Sequence, residues 1–379
     1  MIKIQNVTKD FKGKVVLEDI SMEIKDGELT VIIGPSGCGK TTTLKMLNRL
    51  LPVSKGKIFI DDKDIEEIDK VELRRNMGYV IQQGGLFPHM TIKQNIEIIE
   101  ELENRPKEEI MENTVRLMKM VDMDPDEFLD RYPTELSGGQ QQRIGVIRAL
   151  ANDPEIILFD EPFSALDPLT RSALQDELVE LQSKVGKTMV FVTHDMDEAI
   201  KIADRICIMK DGHILQFDTP EEILRNPVDD FVANFVGINR IWDSPEFIKV
   251  EDFMIKNPVT CDGELTAKKC ISRMRNHHID TLLVVDENGR LQGMVGRKAL
   301  FNAQNPLMAA DKIMSPVQYL AHPMDSIVDI LKMISETDVN NVPVVDENQK
   351  LVGLLTNSNL VSTLSKQFLT ETDEEGTVN

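Results

Sequence analysis

At 379 residues the chain exceeds one ordinary domain, and two or three are expected. Hydrophobic residues at 41% and charged residues at 28% describe a globular chain with material for sizeable cores. A formal net charge of −21 repels phosphate backbones and aromatics of only 5% give little to stack on bases, so no nucleic acid is expected as a main partner.

The opening residues Met1–Gln5 have no apolar run behind their basic residue, so no secretory signal is expected there. No apolar run along the chain approaches the length of a membrane span, and a chain soluble by itself is expected. The first strong element is Leu29–Ile33, short and continuously apolar, as buried parallel strands are. It leads into Gly34, Pro35, Ser36, Gly37, Cys38, Gly39, Lys40 and Thr41, which match the phosphate-loop pattern of a nucleoside triphosphate site. The glycines let backbone N–H groups turn inward around phosphates, and the helix from about Gly39 points its positive N-terminus at them. Lys40 suits the β- and γ-phosphates and Thr41 suits Mg²⁺. Thr42 opens the helical run to Leu50 and is counted with the loop.

A second β-rich run is Tyr79–Ile81. The amphipathic run Glu108–Val121 carries Ile110, Met111, Val115, Leu117, Met118 and Val121 near helical spacing, which is packing rather than a ligand box. Leu136 and Ser137-Gly138-Gly139-Gln140 then precede the helical run Gln141–Leu150, which makes a second glycine-rich helix N-terminus and a second anion site. Ile156–Phe159 is a buried strand whose end projects Asp160 and Glu161 at the phosphate site. Asp160 suits Mg²⁺, directly or through water, and Glu161 suits activation or orientation of an attacking water. A helix over Leu169–Leu181 and a strand over Met189–Val192 complete the pattern, so residues 1–240 are α/β.

A boundary falls near 237–253, where Gly237 ends one run and Trp242, the single tryptophan, anchors a linker at 241–253. Residues 254–366 hold an internal repeat: Leu283–Asn288 recurs as Pro343–Asn348 at an offset of 60 residues, and Leu291 and Gly293 recur as Leu351 and Gly353. Met254 pairs with Met314. Each copy, 254–312 and 313–367, reads as strand, helix, strand, turn, strand, helix, with Asp286–Gly289 as good hairpin-turn chemistry in the first. An acidic, disordered tail with little to bury is expected at 368–379. The cysteines Cys38, Cys207, Cys261 and Cys270 lack tight metal-ligand spacing and are expected as reduced thiols.

With its phosphate loop and the string Leu136–Gln140, the sequence resembles the ATP-binding-cassette (ABC) family. The resemblance implies an ATPase using ATP and Mg²⁺. It implies that Gln82 senses Mg²⁺ and the membrane partner, that His194 contacts the γ-phosphate, and that Phe11 stacks on adenine. It further implies that Ser164-Ala165-Leu166-Asp167 crosses the interface of a homodimer, where each ATP lies between one phosphate loop and Ser137–Gly139 of the other subunit. The repeat resembles a tandem pair of cystathionine-β-synthase-type (CBS) domains, βαββα units with a regulatory role. Together with Leu86–Thr91, the whole resembles the ATPase subunits of importers for glycine betaine, carnitine, choline or proline betaine. Another small solute, an amino acid or polyamine, is the alternative. The partners implied are integral membrane permease subunits and, indirectly, an extracellular solute-binding protein, with the chain peripheral on the cytoplasmic face of the membrane.

The repeat departs from adenosine-binding members of its family. The second copy reads Gly353-Leu354-Leu355-Thr356-Asn357-Ser358-Asn359, with Asn359 where an Asp is the pattern, and the first copy, from Gly293 to Ala299, lacks both polar residues. A ribose-gripping carboxylate is therefore missing in both. Ionic strength, a cyclic dinucleotide such as cyclic di-AMP, and a ligand-free dimerisation role all stay open for the CBS pair.

Overall fold

The computed structural model describes residues 1–379 except 82–84, 165, 238–239, 304, 338, 364 and 366–379. It divides into two compact units, Met1–Ile238 and Asn239–Asn379. Gln82, Ala165 and the expected acidic tail lie outside the described residues.

The strands of the first unit are β1 (Ile2–Phe11), β2 (Lys14–Ile24), β3 (Leu29–Ile33), β4 (Lys55–Ile60), β5 (Lys63–Asp64), β6 (Met77–Val80), β7 (Ile156–Asp160), β8 (Thr188–Thr193), β9 (Arg205–Lys210) and β10 (His213–Asp218). Its helices are α1 (Lys40–Leu47), α2 (Lys70–Arg75), α3 (Ile92–Leu102), α4 (Lys107–Met120), α5 (Pro125–Phe128), α6 (Gly138–Leu150), α7 (Pro168–Val185), α8 (Met196–Ile202), α9 (Pro220–Arg225) and α10 (Asp230–Val236). One sheet has the order β10-β9-β3-β8-β7-β6, parallel from β9 to β6. The other is antiparallel, in the order β2-β1-β4-β5.

The parallel sheet is apolar on both faces because helices or the second sheet cover each. Along β3 the period-2 alternation sends Val31 and Ile33 into one core with α4, α6 and α7, and Ile32 into another with α1 and the antiparallel sheet. The helix predicted over 42–50 begins at Lys40 and stops at Leu47, because Asn48 leaves the helical region and Arg49 is left-handed at φ 52°. In α4, Ile110, Leu117 and Met118 are buried, so its methionine-rich stripe is packing.

The second unit holds β11 (Ile255–Lys256), β12 (Thr260–Asp262), β13 (Thr281–Val285), β14 (Leu291–Gly296), β15 (Asn341–Val345) and β16 (Leu351–Thr356), with α11 (Val250–Phe253), α12 (Ala267–His277), α13 (Arg297–Asn302), α14 (Ile327–Thr337) and a helical segment at 357–363. Two three-stranded sheets form, β11-β16-β15 and β12-β13-β14. The repeats exchange their leading residues. Ile255 and Lys256, at the front of the first copy, pair with Leu354 and Gly353 of the second, while Ser315, at the front of the second, bridges Met294 of the first. This exchange explains why methionine and glycine recur together. A Cβ at Gly353 would stand 2.4 Å from the Met254 sulfur, and one at Gly293 would stand 2.9 Å from the Met314 sulfur. Within 241–253, expected as a linker, Ile248, Val250 and Phe253 are buried in the core of this unit, and Trp242 packs edge-on against Phe253 at 5.5 Å.

Candidate nucleotide site

Five side chains singled out in the sequence meet at the carboxyl ends of β3, β7 and β8, the edge where open α/β sheets hold ligands. Register brings the strand ends level, with Ile33 beside Thr193 and Asp160 beside Val192. The loop 34–39 leaves β3 and turns into α1. Gly34 and Gly39 are required there, since a Cβ would stand 2.0 Å from the Met209 carbonyl oxygen at the first and 2.3 Å from Leu17 at the second, where φ is 109°. Pro35, Ser36 and Gly37 form the exposed rim, and Thr42 is half-buried in the first turn of α1. Cys38 lies inside, with its thiol pushed up by burial, so it is wall rather than ligand. All four cysteines are buried and free.

Helices α3, α6, α7 and α8 are capped by the side chains of Thr91, Ser137, Asp167 and Asp195, whereas α1 starts at Gly39 with no side-chain cap. Its first-turn N–H groups therefore suit an anionic ligand, as a polyphosphate requires. Lys40, 6% exposed, folds over the loop and donates from Nζ to the carbonyls of Gly34 at 2.7 Å and Pro35 at 3.2 Å. A ligand phosphate offers that ammonium a stronger, charged acceptor.

Asp160 is 8% exposed and both its oxygens are held. Thr41 Oγ1 donates to Oδ1 at 2.8 Å and the Tyr79 hydroxyl donates to Oδ2 at 3.2 Å. Burial, reinforced by the Asp160 carboxylate, pushes the Tyr79 phenol up, so it remains a neutral donor. Among the described residues no cluster of three or more His, Cys, Asp or Glu could hold a metal. Thr41 and Asp160 supply two hard oxygens, a donor set that suits Mg²⁺, which fills its remaining positions with water and substrate phosphate. Glu161 follows in a left-handed conformation at φ 46°, and its carboxylate lies 3.2 Å from His194 Nδ1 at the end of β8.

Other residues expected in the site stand apart. Ser137 and Gln140 form a reciprocal capping box: Gln140 N–H donates to Ser137 Oγ at 3.3 Å, and Ser137 N–H donates to Gln140 Oε1 at 2.9 Å. Ser137 and Gly138 are exposed, and a Cβ at Gly139 would stand 2.8 Å from Thr170. Among the described residues the motif makes no hydrogen bond to residues 34–42 of its own chain. Asp167 is exposed and caps α7 through the Thr170 N–H at 3.1 Å, and its bonds to Thr170 hold its carboxyl below the usual range. Phe11 is 42% exposed at the end of β1, with the Lys9 ammonium 4.8 Å from its ring centre.

Two residues to which the sequence reading gave no role prove central. Tyr79 is one, and a lone hydroxyl in a buried run was its signal. Asn95 is the other, a fully buried polar residue on the apolar face of α3. It accepts the Phe87 N–H at 2.7 Å and donates to the carbonyls of Phe87, Met90 and Thr91, which clasps the segment 87–91.

A model of the ABC transporter family matches residues 17–164, and a CBS domain model matches 250–305 and 310–366. The chain is 50% identical over 365 residues to the carnitine transport ATP-binding protein OpuCA of Listeria monocytogenes serotype 1/2a (strain 10403S), covering 95% of this chain and 91% of that protein. It is 50% identical over 364 residues to the glycine betaine/carnitine/choline transport ATP-binding protein OpuCA of Bacillus subtilis (strain 168), covering 95% of each. Among solved structures, a dimeric ATP-binding cassette in a post-hydrolysis state, bound to ADP and Pi, superposes with a TM-score of 0.53 at 37% identity, covering 58% of this chain and 99% of that one.

Proposed function

The chain belongs to the ABC transport ATP-binding proteins, and from that premise we propose that it is the ATP-hydrolysing subunit of an importer for glycine betaine, carnitine or choline. The observation that carries this reading is the convergence of Lys40, Thr41, Asp160, Glu161 and His194 on one sheet edge. Identity of 50% to transporters of these solutes, across both units, supports the substrate class.

In this reading the uncapped start of α1 and Lys40 bind the phosphates of ATP, and Phe11 stacks on adenine. Mg²⁺ would be held by Thr41 and Asp160, with Gln82 as a further ligand by family resemblance, and would neutralise charge on the β- and γ-phosphate oxygens. Glu161 takes a proton from, or orients, the attacking water, and His194 steadies it and meets the γ-phosphate. The exposed Ser137–Gln140 motif and Asp167 act on the ATP of a second copy of the chain. Because the exposed Ser137–Gln140 motif makes, among the described residues, no hydrogen bond to its own loop, a homodimer in which it meets the loop of the other copy completes two sites in this reading. Among the described residues no helix is long and apolar enough to cross a membrane. Coupling to import therefore calls for integral membrane permease subunits, fed by an extracellular solute-binding protein, with this chain on the cytoplasmic face.

The CBS pair regulates the ATPase in this reading. A cleft of about 990 Å³ lies between its two copies, lined among others by His278, Asp280, Arg297, Thr356 and Asn357. Asn359, at the position of the missing carboxylate, donates to the Phe253 carbonyl instead. Arg297 and Lys298 in its lining offer cations to an anionic ligand such as cyclic di-AMP. Ionic strength acts through exposed ion pairs such as Arg297 with Asp280 at 3.1 Å, which salt screens.

Membrane vesicles carrying this chain with its permease subunits test the assignment. ATP-dependent uptake of labelled betaine, carnitine or choline, lost in Lys40→Ala, is expected. Uptake of an amino acid or polyamine and none of these three would move the assignment to the alternative solute class.

A further inference from the structure

We propose that Tyr79 is a positioning residue for divalent-cation binding: its hydroxyl fixes the Asp160 carboxylate in the orientation the cation needs. The proposal rests on the reading of Asp160 as the carboxylate that serves Mg²⁺ and extends it to a residue on a different strand.

Geometry delivers the contact. Strands β6 and β7 are parallel neighbours, with Tyr79 opposite Leu158 and Val80 opposite Phe159. Side chains alternate along each strand, so Met77 and Tyr79 share one face of the sheet, as do Leu158 and Asp160. Both pairs face the core that contains Leu44 and Leu47 of α1, the helix that follows the phosphate loop. From that face the Tyr79 hydroxyl reaches Asp160 Oδ2 at 3.2 Å while Thr41 Oγ1 reaches Oδ1 at 2.8 Å. Each carboxylate oxygen is thus tied to a different element, Oδ1 to α1 and Oδ2 to β6. Two such ties stop rotation about the last side-chain bond, which one tie would allow.

The orientation matters because Mg²⁺ demands near-octahedral geometry at short distances and tolerates a misdirected ligand poorly. Groups that hold a metal-binding carboxylate without touching the metal commonly change metal affinity about 10- to 100-fold when removed. Tyr79 suits that task. Its ring packs partly buried in the core, and its phenol stays protonated and so keeps donating.

The test uses the full chain. Tyr79→Phe removes one oxygen and keeps the packed ring, so thermal unfolding without nucleotide should match wild type within about 2 °C, since a single hydrogen bond contributes little net stability where water can replace it. Mn²⁺ affinity, read by electron paramagnetic resonance with a non-hydrolysable ATP analogue, should weaken about 10-fold. Analogue affinity in EDTA should stay within about 2-fold, because the phosphate contacts of Lys40 and α1 are untouched. Half-saturating Mg²⁺ for hydrolysis should rise by the same factor as the Mn²⁺ constant, with a smaller change in kcat at saturation. Equal Mn²⁺ affinity in Tyr79→Phe and wild type, when Asp160→Asn weakens it, would overturn the role of Tyr79 alone. Unchanged Mn²⁺ affinity in Asp160→Asn would overturn the reading of Asp160 and the proposal with it.

Discussion

His194 Nδ1 lies 3.2 Å from Oε2 of Glu161, and the bond spans the ends of two adjacent parallel strands. The Glu161 N–H also donates to the Val192 carbonyl at 3.0 Å, so backbone and side chain are both tied to the strand that carries His194. The imidazole is 60% exposed and the carboxylate 21%, so the pair is open to solvent.

Glu161→Gln preserves size and hydrogen-bonding reach but removes the carboxylate proposed to activate the attacking water. Steady-state phosphate release should fall roughly 100- to 10,000-fold, with ATP binding retained. Retained binding with lost turnover should accumulate an ATP-bound dimer on size exclusion. Turnover at the wild-type rate would remove Glu161 from the role assigned to it.

Gly353→Ala tests the exchange between the repeats. Its Cβ would meet the Met254 sulfur at 2.4 Å, and overpacking of that kind costs about 1–3 kcal/mol. Met254→Ala in the same chain removes the sulfur and Cγ and leaves only Cβ, 3.1 Å away, so the double variant should lose less than the sum of the single losses in calorimetry. Strict additivity would show that the two positions do not press on each other.

Asn95→Leu keeps the side chain's heavy-atom count and branching on the buried face of α3 and removes all four bonds of the clasp. Leaving the Phe87 N–H and three carbonyls without this partner should cost about 2–3 kcal/mol, limited by how far water reaches them. Amide hydrogen exchange at Phe87 should accelerate first. Unchanged protection there would mean that another group holds the segment.

Glu97 is buried on α3, and desolvation raises its pKa above the usual carboxyl value. The folded chain therefore takes up this proton at a higher pH than the unfolded chain does. The resulting stability is fully present below the unfolded value of about 4.3 and is lost as pH rises through the raised folded value. Glu97→Gln should accordingly raise the thermal midpoint at pH 7, and the gain should shrink as pH falls toward 4.5. A gain independent of pH would assign the effect to packing instead.

Much of the site was legible because its signals are local. Leu29–Ile33 is a strand at the predicted residues, and Ile156–Phe159 extends by one residue to Asp160. Both are runs that only burial on two faces explains. Ser137–Gln140 carried two local signals at once, an anion-binding glycine turn and the S-x-x-Q spacing of a capping box, and within one chain the cap is what forms. The phosphate reach expected of Lys40 is met here by the carbonyls of its own loop.

The sequence by itself determined the nucleotide loop and the acidic strand end, because each depends on residues within one or two turns of one another, and the repeat, because its two copies match residue for residue at a fixed offset. Only the tertiary structure decided that Tyr79 completes Asp160 from 81 residues away, and that Met254 and Met314 cover glycines in the opposite copy of the repeat. Those relations depend on which strand docks beside which, and no periodicity along the chain encodes the neighbour across a sheet.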